Sequence, residues 1–188
     1  MADVPFDYVL DRLNKFHKWI EHVVITGGEP TLQKGLPAAI AELKRRGLKV
    51  KLDTNGSHPK VLKALVESHM IDCVAMDVKG PLEGYDRWCG VSVKKKAIRE
   101  SIDFLLEGRV DYEFRMTLVP FLHKEQDAYR TAEQIAPAKT FCLQDFVPRD
   151  TLNPKYAGIT PFSPEKMKSI RESVREILEN APIRNRLP

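Results

Sequence analysis

Short apolar runs and longer amphipathic segments alternate along this chain, and that alternation limits the fold more than any other feature. Residues 6–20 place Phe6, Val9, Leu10, Leu13, Phe16 and Ile20 three and four apart, which predicts a first helix. Strands are expected over 22–26, 48–53, 71–78, 112–119 and 140–146. Helices are expected over 36–46, where Gly47 stops the run, and over 59–68, 94–107, 124–136 and 164–180. Residues 81–93, with Tyr85 and Trp88, read as irregular, as does a loop up to residue 162. Strands that alternate with helices imply a parallel sheet with helical crossovers, an α/β fold. A length of 188 residues suits one domain with a real core. The tail from Pro182 to Pro188 is expected to be loosely held.

Alternate residues of a strand face opposite ways. In strand 112–119, Tyr112, Phe114, Met116 and Leu118 share one face, and Glu113, Arg115 and Thr117 share the other. Val50 and Leu52 oppose Lys51 and Asp53, while Phe141 and Leu143 oppose Thr140, Cys142 and Gln144. Asp77 and the following Lys79 share a face. A parallel sheet covered on both sides reads as continuously apolar, so this sheet has one face for helices and one polar face. Burying unpartnered charge is costly. The polar face is therefore open to solvent, or it lines a curved sheet that holds a polar ligand, or internal ion pairs satisfy it. The clustering of Glu29, Asp53, Asp77 and Lys79 at strand ends favours the ligand.

The sharpest of those strand ends is Val23-Val24-Ile25-Thr26-Gly27-Gly28-Glu29-Pro30. Its β-branched residues favour a strand. The glycine pair permits a tight turn and brings bare backbone close to a ligand. Pro30 fixes its own φ and pushes Glu29 towards an extended conformation. Gly-Gly-Glu-Pro then sits at the C-terminal end of a strand, where open α/β folds bind ligands. A glycine pair alone is more often only a turn.

Net charge is +4, and the basic residues are scattered without interleaved aromatics, so nucleic-acid binding is not expected. Lys94-Lys95-Lys96 reads as the solvated start of a helix. No run approaches 18 apolar residues, so no membrane span is expected. The first twenty residues carry Asp3, Asp7, Asp11, Arg12, Lys15 and Lys18 and lack a signal-peptide core, so a cytoplasmic protein is expected. Cys73, Cys89 and Cys142 form neither a disulfide framework nor a zinc pattern.

Thr26-Gly27-Gly28-Glu29-Pro30, Asp53-Thr54-Asn55-Gly56, Asp77-Val78-Lys79 and Arg115-Met116-Thr117-Leu118-Val119-Pro120 together resemble one family. It is the radical S-adenosylmethionine enzymes, in the branch that activates glycyl-radical enzymes. The nearest likeness is to activating proteins of anaerobic ribonucleotide reductase and pyruvate formate-lyase. The resemblance runs from about residue 6 to about 180, with each motif in family order at a strand end. It implies a parallel partial barrel of six βα units, with about five strands present here and the first missing. It also implies site roles. Gly27, Gly28, Glu29 and Pro30 would receive the amino group of S-adenosylmethionine, largely through backbone carbonyls. Asp53 and Thr54, with Asn55 in the same turn, would lie beside the methionyl moiety. Asp53 and Asp77 are a candidate monovalent-cation site. Lys79 and Arg115 would neutralise carboxylate charge or order the cofactor, Val119 would pack the adenine end, and Gln144 is a weaker candidate. The activity implied is formation of a 5′-deoxyadenosyl radical that takes a hydrogen atom from a glycine of a partner enzyme, with a flavodoxin or ferredoxin as electron donor.

The same resemblance implies a [4Fe–4S] cluster on Cys-x3-Cys-x2-Cys, just upstream of the Gly-Gly-Glu-Pro turn. No cysteine precedes Cys73; Cys73 and Cys142 read as mid-strand, Cys89 as loop, and none has the spacing. The segment carrying the first strand and cluster loop is expected to be absent, by truncation or by natural loss, and this chain is expected to be inactive alone. The edge beside strand 22–26 then invites association. Competing readings are a binding remnant for S-adenosylmethionine or a partner, and a different barrel enzyme with Lys79 as a Schiff-base lysine. Residue by residue, Asp53-Thr54-Asn55-Gly56 also reads as an Asx turn, Lys79 as solvated and Arg115 as paired with Glu113. His17, His22, His58, His69 and His123 read as surface or capping residues.

Overall fold

A computed structural model describes residues 4–149, 151 and 153–180; the tail 182–188 lies outside the described residues. Helix α1 (Phe6–Lys15) precedes strand β1 (His22–Ile25), followed by α2 (Leu36–Arg45), β2 (Lys49–Thr54), α3 (Pro59–Glu67) and β3 (Cys73–Asp77). Helices α4 (Tyr85–Cys89) and α5 (Lys95–Leu106), strand β4 (Asp111–Leu118), α6 (Glu125–Ile135), β5 (Phe141–Asp145) and α7 (Pro164–Glu179) complete the order. Local chemistry sets several boundaries. Gly47 turns away from α2 at φ +77°. Pro59 and Pro164 occupy the first turns of α3 and α7, where the missing N–H costs nothing. Ser163 caps α7 by accepting from Lys166 N at 3.2 Å.

Two expectations need correction. The first helix ends at Lys15 rather than near residue 20, because Phe16 leaves the helical region. The apolar spacing continued only because Ile20 packs on the core from the following turn. Within 81–93, residues Tyr85–Cys89 form a short helix closed by Gly90 at φ +70°, so Cys89 ends a helix rather than lying in a loop. Five residues are too few for periodicity to reveal.

The strands pair in parallel in the order β1-β2-β3-β4-β5. Leu52 stands beside Val74, Met76 beside Phe114, and Met116 beside Leu143. Val50, Leu52, Val74, Met76, Phe114, Met116 and Leu118 are buried on one face, together with Ile40, Leu62, Ile98, Ile102 and Ile135 from the helices. Around Met116, Leu118 and Leu143, the α7 residues Met167, Ile170 and Val174 close a second cluster. Each such side chain stabilises the fold by roughly 1.5–3 kcal/mol on burial. The opposite face carries Lys51, Asp53, Asp77, Glu113 and Arg115, as the parity of the sequence predicts. Because all five strands run the same way, their C-terminal ends meet at one edge of the sheet.

Candidate functional site

The strand-end edge is built from β1 outward. Gly27 takes φ +140° after the strand, and Glu29 is extended at φ −139° before Pro30 opens one turn of 3-10 helix. A Cβ added at Gly27 or Gly28 would meet no heavy atom within 4 Å, so the backbone here faces open space. Glu29 is 9 % exposed. Its carboxylate accepts from Thr54 Oγ1 at 2.8 Å, Asn55 N at 2.7 Å, Thr31 N at 3.1 Å and the Thr31 hydroxyl. These bonds stitch the end of β1 to the end of β2 and leave the glycine backbone open.

The turn after β2 is committed inward. Thr54 Oγ1 also accepts from Gly56 N at 3.1 Å, and Asn55 Oδ1 accepts from Ser57 N at 2.9 Å, an Asx turn. Gly56 takes φ +74°, and its carbonyl accepts from Ser101 Oγ at 2.7 Å. Asp53 differs: it faces the polar side, where Arg115 Nη1 donates to its Oδ2 at 3.1 Å. Asp53 Oδ1 is buried and has no hydrogen-bond partner among the described residues.

Arg115 joins β2 to β3. Its Nε donates to Asp77 Oδ1 at 3.1 Å, and Lys79 Nζ donates to Asp77 Oδ2 at 3.0 Å. Burial would lower the Arg115 guanidinium, but Asp77 and Asp53 outweigh it and raise it above its ordinary value. The alternative pairing of Arg115 with Glu113 is not found: Glu113 accepts from Lys51 Nζ at 2.8 Å, nearer the strand starts. The Glu113 hydrogen bond, against a smaller effect of burial, raises the Lys51 ammonium. Internal pairing therefore satisfies most of the polar face, with Asp53 Oδ1 left over.

Val119 and Gln144 occupy different surroundings. Val119 lines a cavity of about 410 Å³ with Trp88, Cys89, Leu122, Phe146 and Tyr156. Gln144 is exposed on β5, and its Oε1 accepts from Thr117 Oγ1 at 3.2 Å.

His123 corrects the sequence reading. It is 6 % exposed, not a surface residue. Its Nδ1 accepts from Val119 N at 3.1 Å, and Nε2 lies 2.9 Å from the Lys79 carbonyl. Lys79 N in turn donates to the hydroxyl of buried Tyr85 at 3.1 Å. Burial pushes the Tyr85 phenol well up and His123 down from their ordinary values. The sequence signal for this group was slight. Gly80 and Gly84, four apart, both leave room for Trp88, which stacks on His123.

Residues 2–133 match the family model described as the Radical SAM superfamily. A Methanocaldococcus jannaschii protein that carries the provisional name of glycyl-radical enzyme activating enzyme is 32 % identical over 168 residues, covering 86 % of this chain and 70 % of its own. Among solved structures, a domain of pyruvate-formate lyase-activating enzyme from Bacteroides vulgatus has a TM-score of 0.66 at 16 % identity, covering 82 % of this chain and 93 % of that one. Streptococcus suis SuiB bound to its precursor peptide SuiA has a TM-score of 0.70 at 13 % identity, covering 97 % and 42 %. At these identities the two structures show the fold alone, a partial barrel with this parallel five-stranded sheet.

Proposed function

The chain belongs to the radical SAM superfamily, a family of oxidoreductase-type enzymes, and we propose that its strand-end site binds S-adenosylmethionine in the activation of a glycyl-radical enzyme. The observation that carries this reading is the run Asp53–Arg115–Asp77–Lys79 beside the open Gly27-Gly28 backbone, with Asp53 Oδ1 lacking a partner. S-adenosylmethionine has an ammonium, a carboxylate and a sulfonium, so it needs both signs of charge in a confined polar site. In this reading the Gly27 and Gly28 carbonyls and Asp53 Oδ1 receive the ammonium. Asp53 and Asp77 alternatively hold a monovalent cation beside it. Lys79 and Arg115 face the carboxylate, and the cavity at Val119 takes the adenine end. Thr54 and Asn55 act through Glu29, by holding the glycine turn against β2.

Bound beside a reduced cluster, the cofactor would supply radical chemistry directed at a protein glycine. This chain's cysteines do not fit that cluster. Cys73 and Cys89 are half-buried at the start of β3 and the end of α4, and Cys142 is exposed on β5. Among the described residues no three His, Cys, Asp or Glu side chains gather as metal ligands. The narrower form of the proposal is that these 188 residues bind cofactor and partner without turning over alone. The partner class is a glycyl-radical enzyme, with a flavodoxin- or ferredoxin-type donor and a cytoplasmic setting. Among the described residues, no helix is long and apolar enough to cross a membrane.

Calorimetric titration with S-adenosylmethionine tests the site. Saturable binding that weakens about tenfold in Asp53→Ala supports it, since a charged hydrogen bond is worth about 1.5–3 kcal/mol. Absence of binding, or equal binding by the variant, overturns it.

A further inference from the structure

The ends of β3 and β4 carry Asp77, Lys79, Arg115 and Val119, yet the residue that ties these two ends together lies in the loop before α6. His123 spends both ring nitrogens on backbone: Nδ1 on the Val119 N–H at 3.1 Å and Nε2 on the Lys79 carbonyl at 2.9 Å. A carbonyl only accepts, and an amide N–H only donates. The two contacts together therefore require a neutral ring with its proton on Nε2. Lys79 is thus pinned on both sides, its N–H by Tyr85 and its carbonyl by His123.

The clamp is packed in place. The Trp88 indole lies parallel to the imidazole, with ring centroids 5.9 Å apart. A Cβ at Gly80 would come within 2.7 Å of that indole, and one at Gly84 within 2.5 Å. Trp88 occupies the space that side chains at 80 and 84 would need.

We propose that neutral His123 is a positioning residue for the strand-end site, holding Lys79 and Val119 for the ligand, and that acid weakens ligand binding by removing its acceptor nitrogen. The inference rests on the binding reading above. Protonation places a second N–H on Nδ1, and that donor then meets the Val119 N–H. Burial is the main force keeping the ring neutral, aided by Arg87 on α4 and opposed by the Lys79 carbonyl and by Asp127 in the first turn of α6.

The test is calorimetry with S-adenosylmethionine on wild type, His123→Gln and His123→Phe, with folding checked by circular dichroism. Glutamine keeps one acceptor and one donor but does not titrate; phenylalanine keeps the ring and loses both bonds. Wild-type affinity is expected to fall about tenfold as the ring protonates, below the ordinary histidine value of about 6.5, the scale of one lost buried hydrogen bond. His123→Gln is expected to bind within about threefold of wild type near neutrality with a flat acid limb, and His123→Phe about tenfold more weakly. Constant wild-type affinity through the ring's own protonation, or an acid limb that persists in His123→Gln, overturns the proposal. The ring is read separately by ¹⁵N NMR. An Nε2–H tautomer whose titration moves the Val119 amide supports the clamp, and a charged or Nδ1–H ring near neutrality overturns it. A wild type that binds at no pH while showing that tautomer places the fault in the binding reading rather than in the clamp.

Discussion

Arg115 on β4 reaches past the neighbouring strand to Asp53 on β2, donating at 3.1 Å. Its register partner is Asp77 on β3, to which it also donates. Ala75, the β3 residue in register with Asp53, brings only a methyl group to that face. One guanidinium thereby sets the spacing of two carboxylates on separate strands, with bond directions that only a planar fork supplies.

Arg115→Met is expected to cost about 1–3 kcal/mol in urea unfolding, because it leaves the partly buried Asp53 carboxylate without a cation and Asp77 with Lys79 alone. Arg115→Lys keeps the charge but is expected to recover only part of the loss. Adding Asp53→Asn to Arg115→Met should restore stability, since it removes the stranded charge. A double variant no more stable than Arg115→Met alone would show that the pair does not set the energetics of this face.

Glu29 is the second joint. Glu29→Ala leaves the Thr54 hydroxyl and the Asn55 N–H without their acceptor, at a cost of about 2–3 kcal/mol. Glu29→Gln keeps one oxygen and is expected to cost about 1 kcal/mol. Hydrogen exchange reads the same joint locally. The Asn55 amide should lose protection in the alanine variant, while amides at the centre of β3 keep theirs.

What the sequence disclosed tracks how local the cause is. The alternation of apolar faces fixed Val50, Leu52, Phe114 and Met116 as core, and all are buried as expected. The strand-end residues Asp53, Asp77, Lys79 and Arg115 were legible because a two-residue period assigns them one face. Their pairing was not. Whether Arg115 turns to Glu113 or to Asp53 depends on where Lys51 goes, and Lys51 belongs to another strand. His123 was misread for the same reason: its two partners, at positions 79 and 119, come together only when β3 and β4 are paired. The short helix Tyr85–Cys89 escaped because its five residues are too few to carry an apolar repeat, although Tyr85 is buried in the main core.

Two glycines separate folding from binding. At Gly56, φ is +74° and a Cβ would lie 2.1 Å from Met76 Cε within the core, so Gly56→Ala is expected to cost about 2 kcal/mol or more. At Gly28 a Cβ meets nothing within 4 Å, so Gly28→Ala should leave stability within about 0.5 kcal/mol. The added methyl would nonetheless project into the open cradle, so affinity for S-adenosylmethionine should fall in Gly28→Ala. Unchanged affinity would move the ligand away from the glycine turn.

Acid stability has an identifiable contributor at the opposite end of the sheet. Asp72 accepts from Lys44 Nζ at 2.7 Å and from Val50 N at 2.7 Å, joining α2 to the start of β2. Burial pushes its carboxyl up, but the Lys44 bond and the Val50 N–H together outweigh burial and hold it below its ordinary value of 3.8. A carboxyl depressed in the folded state binds its proton more readily when unfolded. Its stabilisation is therefore complete above that ordinary value and is lost as pH falls from there through the folded one. Asp72→Asn removes the titration, and with it that share of stability, at neutral pH. Urea midpoints measured from about pH 7 down to about pH 2 should show a shallower acid decline in the variant, converging on wild type at the lowest pH. Parallel curves with a constant offset would mean that Asp72 contributes through shape and hydrogen bonding alone, with no proton linkage.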